Sequence, residues 1–495
     1  LKDSAAPLPF RGPTPSGCSI LHMRSPRRRG LCQPPRHAAL LAVVFATGQQ
    51  LVRGDGSNAQ GDGAVLCPPR FQLPPFPNNA LDLNGVALPE ACFNSTQGEH
   101  HVFVIGDWGG LSSSPGKAPM PADHRSKRFP TRARDFVVGV DDRAQQRVAR
   151  QMMLRAIAKA PDYVLNVGDS FYWGGIRAKC GLAPLQNDDT GQWGPIFEDV
   201  YRGPGLDGSQ WLGVLGNHDY GGFTFTMGWD QVIRYSWGGA TSTGRWVMPA
   251  QYWKSKVHYP DFSVDYHFVD SNVFDAFAPS AAMGHNICGR QHNPTHASCG
   301  SQGPASLCDC PGWFADLWET QMAWLEESLG RSTADWQIVV THFPPTWGRP
   351  DWEHLVRAHG VDLLVTGHTH QQAVVAGDAP GNFLGPTTWL VSGGGGGITS
   401  EGLPTKSGED DEYGFMDLRL SKGEIEVSAI SHGGQVRSRT LVRPRSPDVA
   451  YQGRPRQPAP ARRGDCHSVA SAGDGRQRAF LRWILGGRRN SSLSI

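Results

Sequence analysis

The 495-residue sequence lacks an excess of charge of either sign. It has 47 Lys and Arg residues against 45 Asp and Glu residues, which gives a formal net charge of +2 at pH 7. Nucleic-acid-binding proteins usually carry a marked basic excess, so this balance gives no reason to expect a nucleic-acid partner. Long apolar runs are also missing. Ala38–Ala46 is too short to span a bilayer, so we expect no stable membrane insertion.

The residues on either side of this apolar run indicate export. Arg24 and Arg27–Arg29 precede it, and the small residues Ala46-Thr47-Gly48 end it. Basic, apolar and small residues in that order are typical of a secretory signal peptide. We therefore predict a secreted protein, or one of a lysosome- or vacuole-like compartment. In such a compartment the acceptor Asn94-Ser95-Thr96 is expected to carry N-glycosylation at Asn94.

No C-x-x-C pair occurs among the ten cysteines, which disfavours a zinc site built from such pairs. One stretch combines four cysteines with three histidines: Cys288, Cys299, Cys308, Cys310, His285, His292 and His296. A structural zinc ion is an alternative there, but the irregular spacing and an oxidising compartment favour disulfides. Cys92 and Cys180 are expected to pair with each other or with this cluster, and the spacing leaves that choice open.

Five short segments place polar side chains at the ends of apolar, β-branched runs. The runs are Val102–Ile105, Tyr163–Val167, Trp211–Leu215, Gln337–Val340 and Leu363–Val365. The segments are Gly106-Asp107, Gly168-Asp169-Ser170-Phe171-Tyr172, Gly216-Asn217-His218-Asp219, Val339-Val340-Thr341-His342 and Gly367-His368-Thr369-His370. Such runs predict buried strands of an α/β protein, in which ligands bind beyond the carboxyl ends of the strands. We therefore expect the five segments to converge on one cleft.

The side chains of these segments are metal ligands by type. They comprise two carboxylates, a phenol, an amide carbonyl and three imidazoles, apart from His218. One ion needs three or four protein ligands, whereas two ions joined by a bridging carboxylate use about seven or more. Hard oxygen donors mixed with imidazole suit iron, zinc or manganese. The sequence therefore predicts two adjacent metal ions.

The five segments resemble those of the metallophosphoesterase (calcineurin-like) superfamily, and Tyr172 makes them similar to the purple acid phosphatases. Ile196–Tyr201, Trp211–Tyr220 and Gln321–Leu325 resemble the small, tartrate-resistant group of that family. The resemblance implies an αββα sandwich, in which two mixed β-sheets are flanked by helices. Periodicity alone supports an α/β fold with a mixed sheet.

The resemblance also implies how the ligands are shared. A ferric ion is held by Asp107, Tyr172 and His370, a second, divalent ion (iron, zinc or manganese) is held by Asn217, His342 and His368, and Asp169 bridges the two. The chemistry of a phenol supports Fe(III) beside Tyr172, because a side chain with a pKa of about 10 ionises only next to a strongly acidic cation.

Two further residues are expected to take part in catalysis, His218 directly and Asp219 through the His218 ring. His218 follows a ligand but is not one in the family, so we expect it to bind the phosphoryl group and protonate the leaving group. Asp219 is expected to accept a hydrogen bond from the other ring nitrogen and to raise the imidazole pKa. The family has another histidine after the one that matches His342. The nearest candidates here are His354 and His359, although an ordinary helix-surface position is the better interpretation of each.

The implied reaction is the hydrolysis of phosphate monoesters by a hydroxide bound to the dinuclear Fe(III)–M(II) centre. We therefore predict a secreted acid phosphatase whose substrates are small phosphate monoesters or phosphoproteins. One alternative is a dinuclear metal phosphodiesterase or nucleotide hydrolase. Another is a non-catalytic secreted glycoprotein. The sequence leaves the oligomeric state open.

Composition divides the chain into four predicted parts. They are an N-terminal extension with the signal peptide (1–48), an irregular linker (49–96), a catalytic domain (97–445) and a low-complexity basic tail (446–495). Arg437–Arg463 lies among Pro and Ser and is expected to be solvated.

Gly393–Gly397 lacks the Lys-Ser/Thr of a phosphate-binding loop, so we predict a flexible turn beside the metals. Further helices and strands are predicted at Arg143–Lys159, Trp313–Leu329, Trp352–His359, Ser263–Val269, Thr387–Val391, Gly414–Leu420 and Glu424–Ile430.

Overall fold

The computed structural model describes residues 67–95, 98–110, 134–186 and 190–445. Its strands are β1 (Val86–Ala87), β2 (Ala91–Cys92), β3 (His100–Ile105), β4 (Tyr163–Asn166), β5 (Gln210–Gly213), β6 (Trp246–Val247), β7 (Trp253–His258), β8 (Ser263–Val269), β9 (Trp336–Thr341), β10 (Leu363–Thr366), β11 (Gln372–Val375), β12 (Thr388–Ser392), β13 (Gly414–Leu420), β14 (Ile425–Ser431) and β15 (Val436–Val442). Its α-helices are α1 (Ala144–Lys159), α2 (Asn217–Tyr220), α3 (Trp229–Arg234), α4 (Cys310–Gly330) and α5 (Arg349–His359). The predicted strands and helices are all present, with ends that differ by a few residues at most.

The strands form two mixed sheets. One has the order β15-β14-β13-β3-β4-β5-β6, with β3 to β6 parallel and the rest antiparallel. The other has the order β1-β7-β8-β9-β10-β12-β11, with β2 also paired to β7 and with β8, β9, β10 and β12 parallel. The strands that precede the predicted ligands are central parallel strands of the two sheets. Their carboxyl ends can therefore meet.

Alternate residues of the central strands face two different buried layers. Val102 and Val104 of β3 belong to a core that also contains residues of β9, so this core lies between the sheets. Phe103 and Ile105 belong to a second core, which includes Met152 of α1. Because side chains alternate along a strand, a strand buried on both faces is apolar throughout, as these runs are. The predicted αββα sandwich is confirmed.

The predicted linker (49–96) was extended too far toward the C-terminus. Short strands β1 and β2 pair with β7, with Val86 opposite Trp253. Phe71 and Leu88 are buried in the core between the sheets. Two-residue strands show no periodicity in the sequence, which explains why this segment was assigned to a linker. The rest of that range, and the predicted signal peptide, lie outside the described residues.

The predicted solvated segment Arg437–Arg463 begins with a strand. β15 pairs with β14 at the edge of the first sheet, and most of its side chains are exposed. Arg439 lies 3.6 Å from the carboxylate of Glu426. Charged side chains are common on edge strands because they discourage pairing with other chains. Residues 446–495 lie outside the described part of the chain.

Cysteines of the histidine-rich stretch form disulfides, so the zinc alternative is wrong. The pairs are Cys67–Cys92, Cys180–Cys299 and Cys288–Cys310, and Cys308 is also disulfide-bonded. Cys92 therefore pairs with Cys67 and not with Cys180. Residues 276–309, between β8 and α4, are tied at Cys288 to the start of α4 and at Cys299 to the loop after β4. We call this segment the disulfide-bonded insertion.

Within the described ranges, no helix has both the length and the apolar character that crossing a membrane requires.

Candidate metal centre

The seven predicted ligands come together where the central strands of both sheets end. Asp107 and Asp169 follow β3 and β4, Asn217 follows β5, and the three histidines follow β9 and β10. Asp107, Asp169 and His368 have positive φ angles of 56°, 54° and 69°, respectively. Among described non-glycine residues, only Ala160 shares this left-handed conformation. Such backbone strain is concentrated at functional sites, where surrounding structure holds it in place.

The first group of ligands surrounds the phenol of Tyr172. Its oxygen lies 3.0 Å from Oδ1 of Asp107, 2.8 Å from Oδ2 of Asp169 and 3.2 Å from Nε2 of His370. Burial raises the pKa of Asp107, and burial together with the two carboxylates raises the pKa of Tyr172. Ligand atoms of Asp107, Asp169 and His370 lie within 4.8 Å of one another. A cation among these groups would relieve the cost of burying the carboxylates.

The second group is built around His342. Its Nδ1–H donates to the carbonyl oxygen of Val167 at 2.7 Å, which directs Nε2 into the site. Nε2 lies 3.1 Å from Oδ1 of Asn217 and 3.4 Å from Oδ2 of Asp169. Burial opposes a proton on this ring, but Asp169 and Asp107 outweigh it and raise the pKa of His342 to about 10. The protein thus holds a positive charge where a metal ion would supply one.

His368 completes the second group. Its ring lies 5.2 Å from the ring of His342, and its Nδ1 is buried with no hydrogen-bond partner among the described residues. A buried nitrogen without a partner is rare in folded proteins and needs an explanation. Coordination of a metal ion by this lone pair supplies one. Asp169 lies close to both groups, as a bridging ligand must, and the donor set fits two ions.

The comparison with protein families agrees with this geometry. The family described as calcineurin-like phosphoesterase matches residues 100–372, which is more than half of the chain. The chain belongs to that family. It is a purple-acid-phosphatase-like metallophosphoesterase, and the predicted resemblance is confirmed. Its relatives imply a dinuclear metal centre.

Named relatives are distant but extend over most of the domain. The chain is 22% identical to human tartrate-resistant acid phosphatase type 5 over 377 residues, which cover 72% of this chain and 94% of the relative. It is 28% identical to purple acid phosphatase 17 of Arabidopsis thaliana over 282 residues, which cover 54% of this chain and 70% of the relative. A solved structure of GAP50, the anchor in the inner membrane complex of Plasmodium, aligns with a TM-score of 0.46 at 16% identity. The alignment covers 71% of this chain and 91% of the GAP50 chain. The relatives support a hydrolase.

The glycine run of this metallophosphoesterase is not a flexible turn. Gly393–Gly397 is buried against the ligands, with the N–H of Gly397 bonded to the carbonyl oxygen of Asp107 at 2.8 Å. A Cβ at Gly393 would lie 2.1 Å from a backbone oxygen of Thr369, and a Cβ at Gly397 would lie 2.6 Å from the Tyr172 ring. Glycine is required here for close approach. The predicted position beside the candidate ligands is confirmed, but the prediction of a flexible turn is wrong.

His218 lies in the metallophosphoesterase site, but its partner is not Asp219. The Nδ1–H of His218 donates to the carbonyl oxygen of Trp173, and the carboxylate of Asp219 accepts from the backbone N–H groups of Ser170 (2.9 Å) and Gly216 (2.8 Å). Both residues lie on α2, where consecutive side chains diverge, and Asp219 caps the helix start. Burial lowers the pKa of His218 to about 4, opposite to the expected direction.

The two later histidine candidates lie away from the metal ligands. On α5, Nε2 of His354 is 2.9 Å from the carboxylate of Glu326, and Nε2 of His359 is 3.7 Å from it. Both therefore help to pair α5 with α4, as the helix-surface interpretation predicted.

The sequence pattern did not identify two residues of the site, Asp275 and His285. Asp275 accepts a hydrogen bond from Nδ2 of Asn217 at 3.1 Å, which leaves the amide oxygen facing Nε2 of His342. It also accepts from Nδ1 of His285, a residue of the disulfide-bonded insertion. The ring of His285 lies 5.4 Å from the ring of His218. The sequence contained no local signal for this contact, because it depends on how the insertion folds back.

Proposed function

We propose that this chain is an acid phosphatase that hydrolyses phosphate monoesters with a dinuclear Fe(III)–M(II) centre. The observation that carries the proposal is the position of the Tyr172 phenol, whose oxygen is within 3.2 Å of atoms of Asp107, Asp169 and His370. Carboxylates and imidazoles alone would suit many divalent metals. A phenol in their midst favours a ferric ion, which can ionise it.

Each ligand has a proposed place in this centre. Asp107, Tyr172 and His370 would hold the ferric ion, Asn217, His342 and His368 would hold the divalent ion, and Asp169, which lies near atoms of both groups, would bridge them. The neutral amide oxygen of Asn217 keeps the second group less anionic, which suits a divalent ion. When bound, a metal pair supplies a nucleophilic water of lowered pKa and neutralises the phosphoryl oxygens.

His218 is proposed to bind and protonate the substrate. Because Nδ1 donates to Trp173, Nε2 is the nitrogen left to face a ligand. The ring stacks on that of Trp173, with centroids 4.6 Å apart, and also packs against that of Tyr172, at 4.4 Å. A ring fixed by such contacts can meet the leaving-group oxygen without losing rotational freedom at the moment of reaction.

Secretion is also part of the proposal. The disulfides support an oxidising compartment, since they are rare in reducing ones. Asn94 is exposed, as a glycosylation acceptor must be. The proposed substrates are small phosphate monoesters or phosphoproteins that the protein would meet in a secreted, lysosome-like or vacuole-like compartment.

An assay with paired substrates tests the activity. Metal-loaded protein should hydrolyse p-nitrophenyl phosphate faster than bis(p-nitrophenyl) phosphate at acid pH, and Asp169→Asn should lose this activity because the bridging charge is removed. Preference for the bis-ester would favour the phosphodiesterase alternative. No turnover of either ester by protein that holds two metal ions would favour a non-catalytic scaffold.

A further inference from the structure

His285 is held in one orientation beside the proposed catalytic histidine. Its Nδ1 donates to the buried carboxylate of Asp275, and its ring packs 4.3 Å from the ring of Phe223. The ring also lies 5.4 Å from that of His218. The Cys288–Cys310 disulfide holds the insertion three residues further along the chain. This imidazole is therefore held in place by a hydrogen bond, by ring packing and by a nearby disulfide.

The carboxylate of Asp275 joins His285 to the metal centre. It accepts from Nδ2 of Asn217 at 3.1 Å as well as from His285. One carboxylate thus orients a predicted metal ligand and a neighbouring imidazole together. Such outer hydrogen bonds typically fix which nitrogen of a histidine is free to act.

The other ring nitrogen of His285, Nε2, has no partner in the part of the chain that the structure describes. Nε2 is buried and makes no hydrogen bond to any described residue. A buried polar atom without a hydrogen bond destabilises the folded state, so native structures rarely contain one without a water or a ligand bound to it. The side chain itself remains 28% exposed, so the ring lies where the site meets solvent.

We propose that Nε2 of His285 binds a phosphoryl or leaving-group oxygen of the substrate, alongside His218. This inference rests on the proposed phosphatase function and adds a substrate-binding residue to it. Two imidazoles with centres 5.4 Å apart can each reach an oxygen of one tetrahedral anion. The disulfide-bonded insertion thereby supplies a second substrate-binding imidazole, which neither His354 nor His359 of α5 provides.

Three substitutions of His285 distinguish the role of its Nδ1 from that of its Nε2. In His285→Asn, the amide nitrogen can replace Nδ1 and keep the bond to Asp275, but Nε2 is lost. In His285→Gln, the amide nitrogen can take the place of Nε2. His285→Ala removes both. His292→Ala is the matched control, because His292 belongs to the same insertion and packs 4.8 Å from Phe223, but is exposed.

The measurement is the affinity of metal-loaded protein for inorganic phosphate, by calorimetry, together with metal content and KM for p-nitrophenyl phosphate. We expect His285→Ala and His285→Asn to weaken phosphate binding by about tenfold or more and to raise KM, with both metals retained. His285→Gln should recover part of the affinity. His292→Ala should match the wild type.

Two results would overturn the inference while the phosphatase proposal stands. If His285→Asn binds phosphate as the wild type does, Nε2 serves only a water molecule. If His285→Asn loses a metal ion, His285 supports the centre through Asp275 and does not bind substrate. If loaded wild-type protein binds no phosphate and hydrolyses no monoester, the proposed function fails and this inference fails with it.

Discussion

Nδ1 of His218 lies 2.5 Å from the carbonyl oxygen of Trp173, and the rings of the two residues are stacked with an interplanar angle of 7°. A carbonyl oxygen can only accept, so Nδ1 carries the hydrogen. The backbone of Trp173 therefore sets the tautomer of His218, a role that the sequence suggested for Asp219. The consequence is that Nε2 is the nitrogen available to a substrate.

His218→Ala should lower kcat by about 10²–10⁴-fold, which is the usual contribution of a general acid. The loss should be largest for an alkyl phosphate and smaller for p-nitrophenyl phosphate, whose leaving group hardly needs a proton. Steady-state kinetics on both substrates, with metal analysis, measures this. Equal losses on the two substrates would mean that His218 positions phosphate and does not protonate the leaving group.

The pH dependence of kcat/KM should follow the protonation of His218. Because burial lowers the pKa of His218 to about 4, the protonated fraction of the free protein falls as the pH rises above that value. kcat/KM should therefore decrease toward neutral pH in the wild type, and this decrease should be absent in His218→Ala. A decrease that persists in the variant would assign it to another group.

Asp219→Asn should affect stability more than chemistry. The carboxylate accepts from the N–H groups of Ser170 and Gly216, and an amide can keep only one of these bonds. We expect a loss of about 1–3 kcal/mol in the free energy of unfolding, with the His218-dependent decrease in kcat/KM unchanged. Chemical denaturation and a pH profile test this. An altered profile at unchanged stability would return Asp219 to the catalytic role that the sequence suggested.

Two of the disulfides of the insertion should contribute unequally to stability. Cys180–Cys299 joins residues 119 apart and Cys288–Cys310 joins residues 22 apart. If restriction of the unfolded chain dominates, removing the longer-range link by Cys180→Ser/Cys299→Ser should cost about 1–2 kcal/mol more than Cys288→Ser/Cys310→Ser. Denaturant unfolding of both variants decides this. A larger loss from the shorter link would show that native packing of the insertion dominates.

Metal loading should release protons. Burial works against a charged His342, yet Asp169 and Asp107 raise its pKa to about 10, so the metal-free ring is protonated at neutral pH. A metal ion at Nε2 must displace that proton, and affinity should therefore increase as the pH rises toward about 10. Calorimetric titration with Zn²⁺ in two buffers of different ionisation enthalpy should show at least one proton released. Heats that do not depend on the buffer would contradict the assignment of His342.

The sequence was sufficient to predict the centre of the fold and the convergence of the seven candidate ligands. β8 and β13 have the predicted bounds because apolar and polar residues alternate along them, as is typical of strands. The convergence was predictable because the candidate ligands come shortly after apolar runs that predict buried strands, and the carboxyl ends of parallel strands meet. Both signals are local in the sequence.

Contacts between distant parts of the chain were not predictable. The wrong partner of His218 came from treating neighbours in sequence as neighbours in space, although consecutive residues of a helix diverge. The role of His285 depends on Asp275, on Phe223 and on disulfides that close the insertion. The tight packing of Gly393–Gly397 depends on Asp107 and Tyr172, which precede it by more than two hundred residues.

The most direct test of the dinuclear ferric centre is metal analysis with a visible spectrum of protein purified without chelators. We predict two metal ions per chain, one of them ferric, and a phenolate-to-iron charge-transfer band. Tyr172→Phe should lose the band and keep the fold, because a phenyl ring fills the space but cannot bind iron. If wild-type protein with two bound metals, one ferric, shows no such band, Tyr172 is not a ligand and the ferric assignment is wrong.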